Sequence, residues 1–135
     1  MERKIITTAT TSKAVLELHQ SKLVVIRITQ PGMLEASDLR EILDAQIKLT
    51  GKVKSVVVVI LKEDTDISTE AREIIFSEEL TQYSLKEIYV LKSKIQKILA
   101  DFYTIFNSTP VPVFTFTKEN PAIDMRTRLS IQHNL

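Results

Sequence analysis

The sequence predicts a single α/β domain, a mixed sheet of four to five strands that opens on an antiparallel hairpin and continues with strand–helix units. Three observations predict it. Two apolar, strand-like segments, Ala14 to His19 and Leu23 to Thr29, lie close together near the start, separated by a short turn at Gln20-Ser21. A run of Val and Ile from Ser55 to Leu61 lacks polar alternation, as suits a central strand covered on both faces. Helix-period segments then separate the later strands, giving the order β-β-α-β-α-β-α-β-α.

The elements follow in order. Residues 1–12 are polar and rich in Thr, which predicts a flexible lead-in to a domain at 13–135. Ala14, Leu16 and Leu18 alternate with more polar neighbours, so this strand reads as half-exposed, with His19 on an edge. Pro31-Gly32 breaks the second strand. A helix from about Glu35 to Thr50 places Leu39, Ile42, Leu43 and Ile47 on one face, and Gly51 is positioned to cap it. After the central strand comes an acidic loop with Glu63, Asp64 and Asp66. Ser68 is suited to N-cap a second helix whose core stripe is Ala71, Ile74 and Ile75. A short strand at Ile88 to Leu91 precedes a third helix, opened by a capping-box spacing at Ser93 to Gln96 and running to about Asn107. Pro110 and Pro112 lead into a strand at Val113 to Thr117, and Pro in that place favours a sheet edge. Asn120-Pro121 marks the start of a fourth helix.

Bulk properties exclude several classes of function. A net charge of +1 gives no global field to recruit nucleic acid or an anionic membrane. The chain has no Cys, hence no disulfide framework, thiolate nucleophile or Cys-based metal site. Its two glycines, Gly32 and Gly51, leave no glycine-rich phosphate loop. The longest apolar run, Val56 to Leu61, falls far short of the roughly 20 residues that span a bilayer, so a soluble cytoplasmic protein is expected.

Three stretches resemble the small SpoIIAA-like proteins of bacteria and, more broadly, the STAS fold of anti-sigma-factor antagonists and sulphate-transporter tails. They are Ser37 to Gly51, Ile67 to Glu79, and Ile98 to Asn107 with the Pro-containing segment up to Val113-Phe114. The resemblance implies a STAS-like fold and a regulatory or protein-interaction role. Antagonists of that family carry a hydroxyl residue after the central strand that a partner kinase phosphorylates. Here Ser68 or Thr69 would hold that position, with Glu70 where the family has a small residue.

Four further features bear on chemistry. Glu63, Asp64 and Asp66 could gather Mg²⁺ or form a solvated loop, and the solvated loop is the stronger reading, so no metal site is assigned. His19 and His133 lack ligand spacing and read as surface histidines. Lys92, Lys94 and Lys97 surround the start of the third helix, where an anion could contact them or where they form an ordinary solvated face. Phe102, Tyr103 and Phe106 widen the apolar stripe of the third helix. Phe76 and Leu80 point off the stripe of the second helix. These five residues are either additional core or a surface for a partner or an apolar ligand. The expectation is therefore a non-enzymatic STAS-like regulatory or interaction module that needs no cofactor and self-associates or binds a protein. The alternative is a carrier of a lipid-like or other small apolar ligand.

Overall fold

The computed structural model describes residues 5–93 and 109–117. The main sheet has six strands among the described residues, in the order β1-β2-β3-β5-β7-β8. These are β1 (Ile5–Thr10), β2 (Ala14–His19), β3 (Leu23–Ile28), β5 (Ser55–Ile60), β7 (Ser84–Val90) and β8 (Val113–Phe116). The first three pair antiparallel. From β3 onward every pairing is parallel. A two-stranded parallel clip, β4 (Gly32–Leu34) with β6 (Thr65–Ile67), stands beside it. The described helices are α1 (Ala36–Thr50), α2 (Thr69–Ile74) and α3 (Glu78–Thr81).

The hairpin and the parallel units form where the apolar pattern put them. The β2–β3 turn is tight, and Ser21 and Lys22 adopt left-handed φ values of 65° and 56° to make it. The α1 helix ends at Gly51, whose φ of 63° and N–H bond to the Ile47 carbonyl form the left-handed cap. β8 lies at the end of the sheet, as Pro110 and Pro112 predict, and the Pro112 carbonyl accepts the Glu87 N–H at 2.9 Å.

Three expectations are corrected. The lead-in is not loose throughout, because residues 5–10 form edge strand β1 along β2. Ile5, Ile6, Thr7, Thr8 and Thr10 are β-branched, and the backbone ladder holds a strand whose side chains are mostly exposed. His19 consequently lies inside the sheet, and it is buried. The second helix is also interrupted: it ends at Ile74, and Ser77 starts α3 by accepting the Leu80 N–H. Phe76 lies in that break and is buried in the core.

Both faces of the parallel core are buried. One carries Leu16, Val24, Ile26, Val57 and Tyr89 under α1. The other carries Leu23, Val25, Val56, Val58, Ile88 and Val90. Among the described residues no helix is long and apolar enough to cross a membrane. The predicted third and fourth helices lie outside the described residues. Leu16 is fully buried beneath α1. Leu16→Ala is therefore expected to lower the unfolding free energy by about 2–5 kcal/mol, read as a lower urea midpoint at unchanged slope.

Candidate functional site

The strand β7 places a carboxyl inside the core. Glu87 aligns with Val57 on one side and Val113 on the other, and only 5% of its surface is exposed. The Ser84 hydroxyl donates to its Oε2 at 2.8 Å, and the Tyr89 hydroxyl donates to its Oε1 at 2.8 Å. Tyr89 shares a face with Glu87 because strand side chains alternate. Ser84, three positions earlier, should point to the opposite face. A register shift resolves this: Ser55 pairs with Ser84 but Val56 pairs with Lys86, which leaves Leu85 as an extra residue and exposed. The bulge reverses the alternation and brings Ser84 round to Glu87.

Electrostatics follow from this burial. Loss of water pushes the Glu87 carboxyl up to about 7, and the hydrogen bonds from Ser84 and Tyr89 pull against that shift without cancelling it. Burial, with the Glu87 charge and hydrogen bond adding to it, holds the Tyr89 phenol well above its ordinary value. The Tyr89 ring is fixed edge-on against Phe76, with centroids 5.4 Å apart at 88°. Lys86, the adjacent residue, aligns with Val56 of the opposite face, and burial holds its ammonium below the ordinary range.

Glu87 and Tyr89 line a cavity of about 50 Å³ between β3, β5 and β7 below and α1, Ile75 and Leu80 above. The rest of the wall is apolar apart from Gln46. Gln46 sits on α1 four residues beyond Ile42, on the stripe of Leu39, Ile42 and Leu43. It is 4% exposed, and its Nε2 is buried without a hydrogen-bond partner. The stripe therefore runs through Gln46, and Ile47, expected there, is only half-buried. A Gln at helical spacing on an apolar face is a signal that the sequence carries. Glu87 escapes the sequence pattern because the apolar run begins only at Ile88, four residues after the strand itself starts at Ser84.

The residues singled out in the sequence are distributed differently. Ser68 caps α2, its hydroxyl accepting the Ala71 N–H at 3.1 Å, and its backbone N–H donates to the Leu34 carbonyl at 3.0 Å. Thr69 is exposed beside it. Arg72 donates to the Ile67 carbonyl at 3.0 Å and to Asp66 at 3.2 Å, so a guanidinium flanks the turn. Glu63, Asp64 and Asp66 do not converge, and no group of three His, Asp or Glu residues suited to a metal occurs among the described residues.

Phe76 is buried against Tyr89, so of its two readings the additional core holds and the partner or ligand surface does not. Leu80 is half-buried and belongs to the cavity wall. His19, expected at the surface, is buried with its Nε2 3.1 Å from Glu17 Oε1, an oxygen that also lies 3.4 Å from Arg27 Nε. Lys92 is exposed. Lys94, Lys97, Phe102, Tyr103, Phe106 and His133 lie outside the described residues.

The folded protein keeps a proton on Glu87 at pH values where the unfolded chain has released it. The Glu87 contribution to stability is therefore full at low pH and falls as pH rises from about 4.5, the ordinary value, to about 7, then levels. The loss should be about 3 kcal/mol, and urea titrations across this range are expected to show it in the wild type and not in Glu87→Gln.

Comparison with known proteins supplies the family and the fold. No curated protein matches the chain. A crystal structure at 2.25 Å resolution of an uncharacterized DUF3478-family protein with a SpoIIAA-like fold, from Shewanella loihica PV-4, superposes with a TM-score of 0.56 at 12% identity. The match covers 93% of this chain and 96% of that one. At that identity the likeness establishes the fold, which is SpoIIAA-like, and leaves function open. The family model of a domain of unknown function, DUF7793, matches residues 16–125, and the chain belongs to that family.

Proposed function

We propose that this domain is a non-enzymatic regulatory module of the bacterial cytoplasm that acts by binding a protein, either a second copy or a distinct partner, through the turn from β6 into α2. The observation that carries the reading is that turn itself. Ser68 and Thr69 stand on a corner beyond the C-terminal end of the central strand β5, where open α/β sheets present their binding residues. The β4–β6 clip and the Ser68 N–H bond to Leu34 keep the corner rigid. A phosphate on Ser68 would meet the Arg72 guanidinium, in competition with Asp66, and would stand close to the negative charge of Glu70.

Stability alone does not test this, because Ser68→Ala removes an N-cap and costs about 1 kcal/mol whether or not the residue is a switch. Peptide mass spectrometry of the protein isolated from its own cells tests the switch, and a phosphate on Ser68 or Thr69 is the expected finding. Consistently unmodified Ser68 and Thr69 remove it. A chain that also sediments as a strict monomer and cross-links to no partner overturns the interaction reading as a whole.

The cavity favours a second reading, binding of a small apolar ligand. Its volume of about 50 Å³ compares with roughly 150 Å³ for an engineered cavity that takes benzene. The magnitude argues for a very small ligand and against a lipid-like one.

A further inference from the structure

We propose that the cavity beneath α1 is a binding site for a small neutral molecule with an apolar body and one acceptor oxygen, of the size of a short alcohol or ketone, held by the Gln46 amide and the Glu87 carboxyl. This deepens the small-ligand reading and rests on it. Two buried polar side chains in an otherwise apolar wall carry the inference. The Gln46 Nε2 carries hydrogen-bond donors, is sealed from bulk water and has no partner. A donor left in that state costs about 1–3 kcal/mol, so a fold under no other demand is better served by Leu at this position.

Glu87 defines the other half of the chemistry. Each of its oxygens already accepts one hydroxyl, from Ser84 and from Tyr89. Below the pH at which it titrates, near 7, the carboxyl keeps its own O–H and can donate as well as accept. The cavity wall thus offers two donors, the unpartnered Gln46 amide and the Glu87 O–H, and a ligand with an acceptor oxygen suits such a wall. A carboxylate ligand is disfavoured because its charge loses water in a mostly apolar wall, and above about pH 7 ionised Glu87 repels it as well. The size follows from the volume: at about 10–15 Å³ per water-sized occupant, the space of about 50 Å³ holds roughly three to five heavy atoms. Water occupies such a space by default, and a ligand with an acceptor oxygen replaces it while keeping the hydrogen bonds.

Acetone, 2-propanol, acetate and xenon, titrated into the ¹⁵N-labelled chain at about pH 6, provide the test, since Glu87 is mainly protonated there. Acetone and 2-propanol are expected to give saturable shifts at the Gln46 side-chain amide and the Glu87 and Tyr89 backbone amides. Dissociation constants in the millimolar range suit so few atoms. Acetate should bind more weakly and lose affinity further at about pH 8.

The Gln46→Leu variant is expected to be at least as stable as the wild type, so folding does not confound it. It should bind both oxygenated probes about five- to tenfold more weakly, the effect of one lost hydrogen bond, and xenon equally well. Unchanged affinity for acetone and 2-propanol in Gln46→Leu overturns the proposal. Absence of any saturable shift with the oxygenated probes does so too. If xenon still enters in that case, the apolar cavity reading survives and only the proposed ligand class falls. If xenon is also excluded, both fall.

Discussion

Parallel strands satisfy one another's backbone groups in a slanted ladder that is stable when both faces are kept from water. In this chain β3, β5 and β7 form that ladder, and apart from Leu85 at the bulge and half-buried Val59 their Leu, Val and Ile side chains are buried, on both faces. Everything else attaches to it. The antiparallel β1–β2 pair extends one margin, β8 closes the other, and α1 lies across the face that holds Leu16, Val57 and Tyr89. Surface ion pairs add little: Arg40 and Glu79 join α1 to α3 at 3.0 Å, but both are exposed to water.

Against this apolar background, Glu87 stands out as a cost. A carboxyl in the middle of a sheet face lowers stability at neutral pH, and Ser84 and Tyr89 only soften the effect. The unpartnered amide of Gln46 on the facing helix is a second cost in the same place. Natural cores place apolar residues at such positions unless something else demands a polar group. Two destabilising groups on two different elements, both lining one cavity, make a more specific pattern than either would alone.

Much of the fold was legible because its signals are local. The alternation of Ala14 to His19, the unbroken Val56–Leu61 run, Gly51 after the α1 stripe and Ser68 before α2 each report on a few neighbouring residues, and each appears where expected. The misreadings share a different cause. The edge strand β1 exists because β2 offers it a ladder, which no window of residues 5–10 reveals. Phe76 is buried in the break before Ser77, and that break depends on a competing cap. The candidate site was least legible of all. Ser84 reaches Glu87 only through the Leu85 bulge, and a bulge is a relation between two strands rather than a property of one. Gln46 alone could have been read, as a polar residue on an apolar helical face.

The β4–β6 clip has a mechanical meaning. Its strands run directly into the first turns of α1 and α2, and the Ser68 N–H is tied to the Leu34 carbonyl. The two helix starts are therefore fastened at a common pivot. α1 is a rod of 15 residues whose far half carries Gln46. α1 also roofs the cavity, so the clip that fixes the hydroxyl corner fixes where that roof begins.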